Sequence, residues 1–131
     1  MTAWIRWLED LDNEAVPEVG GKNASLGEMI QKLKEADIRV PGGFATTAAA
    51  FCRLVEENDL ADEIRSRIDE WRSGNAPLEK TGKAIRRLFR HATIPRPVAE
   101  AVRDAYGELS RRHDAEEVDV AVRSSATAED L

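Results

Sequence analysis

Two cations in this 131-residue chain stand in settings suited to chemistry on an anion, Lys22 and Arg123. Lys22 follows Gly20 and Gly21 within residues 19–29, VGGKNASLGEM. Paired glycines let the backbone turn sharply and approach a ligand closely. The helix they would open presents N–H groups without intrahelical partners and about half a positive charge. Lys22 adds a mobile full charge there, and the set suits a polyphosphate. The spacing is not that of a Walker A loop, which needs glycine where Val16 stands and Ser or Thr where Asn23 stands. A glycine turn beside a solvated lysine accounts for the same residues without any ligand.

Arg123 closes the apolar run 120–122 and is followed by Ser124, Ser125 and Thr127. A guanidinium at a strand end matches phosphate oxygens with its planar fork, and the three hydroxyls can add neutral donors. The bland alternative is an ion pair with Glu129 or Asp130, with the serines capping the next turn. Those two carboxylates could also hold Mg²⁺, although an acidic pair near a helix start is commoner. His91 and His113 lack the spacing of a metal pair and have no nucleophile motif near them. Cys52, the single cysteine, has Phe51 and Leu54 as neighbours and is expected to be buried and inert. No intrachain disulfide is possible, which fits a reducing cytoplasm.

Turns and periodicity define the elements that must carry these residues. Residues 4–8 form a short amphipathic run read as a strand, although its length does not separate a strand from a helix turn by periodicity, and 11–19 read as a loop or short turn. After the glycines, Leu26, Met29, Ile30 and Leu33 share one helical face, with Asn23 or Ser25 available as the cap. Residues 40–43 are extended and turn-forming, and Phe44-Ala45 reads as a brief strand. Thr46 or Thr47 caps a second helix whose face is Ala48, Phe51, Cys52 and Val55. A third starts at Asn58 or Asp59, turns Ile64, Ile68 and Trp71 inward, and ends at 73–75. Pro77 suits the first turn of a fourth, striped by Leu78, Thr81, Ile85, Leu88 and Phe89. Beyond Pro95 and Pro97, a fifth carries Val98, Ala101, Val102, Ala105, Tyr106 and Leu109. Val118, Val120 and Val122 alternate with Asp119 and Ala121, the period of a strand. Helices with strands near both ends predict an α+β domain whose terminal strands pair in one small sheet.

Bulk composition narrows the function classes. Hydrophobic residues make up 42% and charged residues 34%, so the chain can build one core and stay in water. Nineteen basic against 25 acidic residues leave a net charge of −6, opposite to the basic excess of a nucleic-acid binder. A phosphorylated small molecule stays possible, because screening over about 8 Å lets one local cation outweigh distant acids. No apolar run approaches the roughly 20 residues of a membrane span. Arg6, Glu9 and Asp10 interrupt the only run resembling a secretory leader.

Taken jointly, residues 19–29, 40–51 (VPGGFATTAAAF) and 121–131 (AVRSSATAEDL) resemble one family. It is the dikinase family of phosphoenolpyruvate synthase (pyruvate, water dikinase), pyruvate phosphate dikinase and rifamycin phosphotransferase. Asn23-Ala24-Ser25 and Ala45-Thr46-Thr47 resemble the synthase branch most. The likeness runs over 16–131; its two outer motifs are long and specific, and the helices between them are generic.

The resemblance implies an ATP-grasp-like nucleotide domain, with residues 1–131 as a helix-rich N-terminal subdomain bearing a small sheet. Lys22 and Arg123 would then contact ATP phosphates, with Gly20 and Gly21 as the backbone turn and Ser124, Ser125 and Thr127 as secondary contacts. It also implies a cytoplasmic, Mg²⁺-dependent, gluconeogenic conversion of pyruvate, ATP and water into phosphoenolpyruvate, AMP and phosphate, through a phosphohistidine on a separate domain. The family pattern continues past Leu131, so the rest of the ATP site, the phosphohistidine domain and the Mg²⁺ ligands are expected outside this sequence. The remaining dikinase domains are the expected partners, and the segment is expected to be inactive alone. A stand-alone binding module derived from the family and a rifamycin-type phosphotransferase fragment are the competing readings.

Overall fold

A computed structural model describes residues 3–128. The described chain divides into two compact units, one comprising residues 3–51 and 96–128, the other Cys52–Pro95. Together they form an α+β, helix-rich structure with one small sheet.

In the first unit, β1 (Ile5–Trp7) pairs antiparallel with β2 (Phe44–Thr46), with Ile5 opposite Thr46 and Trp7 opposite Phe44. The Trp7 and Phe44 rings meet edge to face at 5.6 Å, an arrangement that adds to their area burial. The expected pairing of the two ends of the chain does not occur. Residues 115–128 contain no strand, and both strands lie in the first 46 residues. A period-two pattern becomes a strand only against a partner ladder, and no described residue supplies one to Val118, Val120 and Val122. Val120 is 50% and Val122 90% exposed.

The segment 11–19, expected as a loop or short turn, takes the form of turns and one short helix. Two 3₁₀ turns (Leu8–Asp10 and Asn13–Ala15) lead into the four-residue helix α1 (Val16–Val19). Asp12 caps the second turn by accepting from the Glu14 N–H at 2.9 Å, a local Asp-to-backbone bond. Helix α2 (Gly21–Glu35) then packs across both turns. Its buried face is Ala24, Gly27 and Ile30; Leu26 and Leu33 are half-buried, and Met29 is exposed. Small residues won this face because the turns approach the helix backbone closely. A methyl group built on Gly27 would lie 2.5 Å from Leu11 Cβ and 2.7 Å from Leu8 O, distances that no relaxed packing allows. Leu8, Leu11, Val19, Ala24, Ile30 and Ala45 form the core there.

Thr47, one of two expected caps, opens α3 (Ala48–Glu57). Its hydroxyl accepts from the Ala50 N–H at 3.3 Å and donates to Ala3 O at 2.8 Å. Helix α6 (Arg96–Arg112) buries Val98, Ala105 and Leu109 and meets β1 through Arg112. That guanidinium sits 4.1 Å over the Trp7 ring and donates to Glu9 at 3.0 Å. The Glu9 hydrogen bond is the main reason its pKa lies above the ordinary arginine value; desolvation, the next largest effect, opposes it, and the Glu108 hydrogen bond reinforces it.

The second unit holds α4 (Ala61–Arg72) and α5 (Leu78–His91), packed as a hairpin. Gly74 ends α4's turn at φ +82°. Asn58 staples the unit: its amide donates to Leu54 O and Thr93 O, both at 2.8 Å, and accepts from the Thr93 N–H at 2.9 Å. Ile64, Ile68, Ile85, Leu88 and Phe89 are half-buried, as their spacing requires, whereas Trp71 and Leu78 stay exposed. Cys52 is exposed, against expectation. Only Ala50 of α3 is fully buried, so Phe51 and Cys52, one and two steps further round, leave the core.

Candidate functional site

Gly20 is the structural centre of the candidate site. It links α1 to α2 at φ 86° and ψ 162°, a conformation that only glycine adopts without strain. The Gly20 N–H donates to Val16 O at 2.9 Å, closing α1, while its carbonyl accepts from the Ala24 N–H at 3.1 Å, opening α2. The amides of Gly21, Lys22 and Asn23 therefore form the first turn of a 15-residue helix, where N–H groups have no intrahelical acceptor.

No side chain caps that turn. The expected cap, Asn23, lies inside the helix, and its amide donates back to Val19 O at 2.8 Å. Ser25 is a helical residue with an exposed side chain. An Asn or Ser acceptor at this helix start would have occupied the same N–H groups that an anion needs.

The C-terminal motif is brought to this turn from the far end of the sequence. Val118 is held on α6 from both sides: its carbonyl accepts from Tyr106 Oη at 2.7 Å and its N–H donates to Ser110 Oγ at 3.2 Å. The chain reverses between α6 and Val118 through Asp114, at φ 51°, with the Ala115 N–H returning to Ser110 O at 3.0 Å. From Val118 the arm runs in irregular, exposed conformation to Ala126. There its backbone lies on Gly20, so that a methyl group on Gly20 would stand 2.6 Å from Ala126 O and 3.0 Å from Ala126 C.

This backbone contact joins the two segments that the sequence singled out. Gly20 and Gly21 form the joint, and Lys22 is exposed on the first turn of α2. Arg123, Ser124 and Ser125 are exposed on the arm just before the contact, and Thr127 just after it. Glu129 and Asp130 lie outside the described residues, so the ion-pair and Mg²⁺ readings of that pair are not addressed by the geometry. Among the described residues, no group of three or more His, Cys, Asp or Glu side chains is placed to hold a metal ion. His91 belongs to the second unit and His113 to the turn just after α6; both are exposed.

Ala126 and Gly27 act through close backbone approach and not through any chemical group. Alanine carries no chemical signal. The isolated glycine within a helical pattern was a readable sign of close backbone approach, and Gly27 has that role.

Residues 16–131 match the family described as pyruvate phosphate dikinase, AMP/ATP-binding domain. The chain belongs to that family. Its similarity to individual dikinase-family proteins extends over nearly all its length. It is 50% identical over 129 residues to a phosphoenolpyruvate synthase of Deinococcus radiodurans, covering 97% of this chain and 16% of the relative. It is 42% identical over 130 residues to one of Aquifex aeolicus, covering 98% and 15% respectively. Against one of Pseudomonas aeruginosa, identity is 43% over 132 residues, covering 100% and 16%. The chain thus spans about a sixth of the length of these relatives. No helix among the described residues is long and apolar enough to cross a membrane.

Proposed function

We propose that this chain supplies one wall of the ATP site of a phosphoenolpyruvate-synthase-like dikinase, as the N-terminal portion of its nucleotide domain. The carrying observation is the seating of the 118–126 arm on Gly20, which draws the lysine-bearing turn and the arginine-bearing arm into one neighbourhood. ATP phosphates would bind over the first turn of α2. Backbone N–H groups of 21–23 would offer donors, Lys22 and Arg123 would neutralise charge, and Ser124, Ser125 and Thr127 would add hydroxyl contacts. Fixed cations and dipoles aimed at a transferring phosphoryl group lower its barrier without reorganising during the reaction.

The whole protein would convert pyruvate, ATP and water into phosphoenolpyruvate, AMP and phosphate, a cytoplasmic reaction serving gluconeogenesis. Mg²⁺ would be required, with its ligands and the phosphohistidine contributed from outside the described residues. In this reading residues 3–128 bind and orient ATP and stabilise charge on its phosphates, while the group that receives the phosphoryl lies elsewhere.

Titrating ATP into the ¹⁵N-labelled chain tests the reading. Shifts concentrated on the amides of 20–24 and 122–127, lost in Lys22→Ala and Arg123→Ala, are expected. Shifts confined to other residues, or none at millimolar ATP, would refute it.

A further inference from the structure

The second unit carries a charged surface that the nucleotide reading does not use. Helix α5 holds Lys80, Lys83, Arg86, Arg87 and Arg90 against a single carboxylate, Glu79. Lys80, Lys83, Arg87 and Arg90 follow at steps of three, four and three, which sets them along one helix face, and Arg86 borders it. All five are exposed.

A whole helix of unpaired cations sets α5 apart from its neighbours. Five of the seven arginines of α4 and α6 meet acids three or four positions away: Arg65 with Asp62, Arg67 with Glu63, Arg96 with Glu100, Arg111 and Arg112 with Glu108. None of the five α5 cations forms such a pair among the described residues. Outside α5 the sequence holds fourteen cations against 24 carboxylates. The cationic face is therefore a local reversal of the chain's overall sign.

A groove adjoins that face. About 650 Å³ in volume, it has Leu60 and Leu88 among its apolar lining and Arg67, Arg87 and His91 among its basic lining. Leu60 is buried and Leu88 half-buried, so the apolar surface is recessed beneath the charges. It lies wholly within Cys52–Pro95.

We propose that this groove and the α5 face dock an acidic protein segment that inserts an apolar side chain between Arg67 and Arg87. Charge complementarity selects the sign of the occupant. The shortness of the patch selects its class: fourteen helical residues span roughly 21 Å, and the rest of the same unit, with seven carboxylates against four arginines, repels a polyanion that runs beyond them. A bilayer would need α5's apolar face for insertion, and Thr81, Ile85 and Leu88 are already buried or half-buried there. The site is independent of the proposed ATP site.

Fluorescence anisotropy with a labelled twelve-residue peptide of repeated Glu-Glu-Leu tests this on the full chain. The expected result is saturable binding that weakens several-fold between low and high salt, as a screened contact must. Lys83→Glu with Arg87→Glu should reduce affinity at least tenfold, and the milder Lys83→Gln with Arg87→Gln should reduce it less. Lys34→Glu with Arg39→Glu, an equal charge change in the other unit, should leave it unaltered. Circular dichroism checks that each variant keeps its helices. The proposal is overturned if the peptide does not bind, if the control pair weakens it equally, or if an all-glutamate peptide binds as well. It is likewise overturned if a single-stranded oligonucleotide or phosphatidylserine vesicles bind more tightly than the peptide.

Discussion

Gly20 and Ala126, near opposite ends of the sequence, touch so closely that a methyl group on the first would overlap the carbonyl of the second. Backbone contact at that range exists only because residue 20 has no side chain. The turn between α1 and α2 therefore serves three purposes: it ends one helix, starts the next and seats the arm.

Gly20→Ala should accordingly release the arm. The positive φ alone costs a non-glycine residue about 1–2 kcal/mol, and the clash with Ala126 adds to it. Backbone ¹⁵N order parameters should fall across 119–127 while those of α4 and α5 hold. Unchanged order parameters in the arm would show that the contact does not hold it.

Tyr106→Phe removes the hydroxyl that bonds Val118 O. A single neutral hydrogen bond is worth about 0.5–1.5 kcal/mol net, so the melting temperature should fall modestly. If the arm carries Arg123 to the ATP phosphates, the same substitution should weaken ATP-induced shifts at 122–127 more than those at 20–24. Equal weakening of both sets would argue that arm and turn respond as one body.

Gly27→Ala should be the most damaging of these changes to the first unit. Overpacking a well-filled contact costs about 1–3 kcal/mol, and here the obstructing atoms include the backbone carbonyls of Leu8 and Leu11, which cannot rotate away. Denaturant unfolding followed at Trp7 fluorescence should show a lowered midpoint. A midpoint equal to that of the parent would mean that α2 can slide off the turns without loss.

ATP affinity of the chain should lie in the millimolar range. Two charge-assisted contacts contribute roughly 3–6 kcal/mol in gross terms, while micromolar binding needs about 8 kcal/mol net. Calorimetry yielding a micromolar Kd would contradict one-wall binding.

Arg112 should matter through salt rather than through pH. Its pKa is raised in the folded state, so the stabilisation this shift brings is complete at any pH below the ordinary arginine value. It is lost only as pH rises through the still higher folded value. Across neutral pH the term is constant. Both partners are partly exposed, so added salt should screen the Glu9 pair. Arg112→Ala should therefore lower the melting temperature more at low salt than at high salt.

Local patterns determined much of this protein without any coordinates. Local patterns marked five helices, the glycine turn ahead of α2, a cap at Thr46 or Thr47 and the short strands near residues 5 and 45, because each depends on residues a few positions apart. The joint occurrence of the glycine-lysine and arginine-serine motifs was enough to indicate the dikinase family. What the tertiary structure decided was partnership. Val118, Val120 and Val122 alternate as a strand does, yet a ladder needs a neighbour that no local pattern can provide. Cys52 has apolar neighbours in sequence, yet burial depends on what packs against α3. Ala126 meets Gly20 solely because folding carried it across the chain to a position with no side chain.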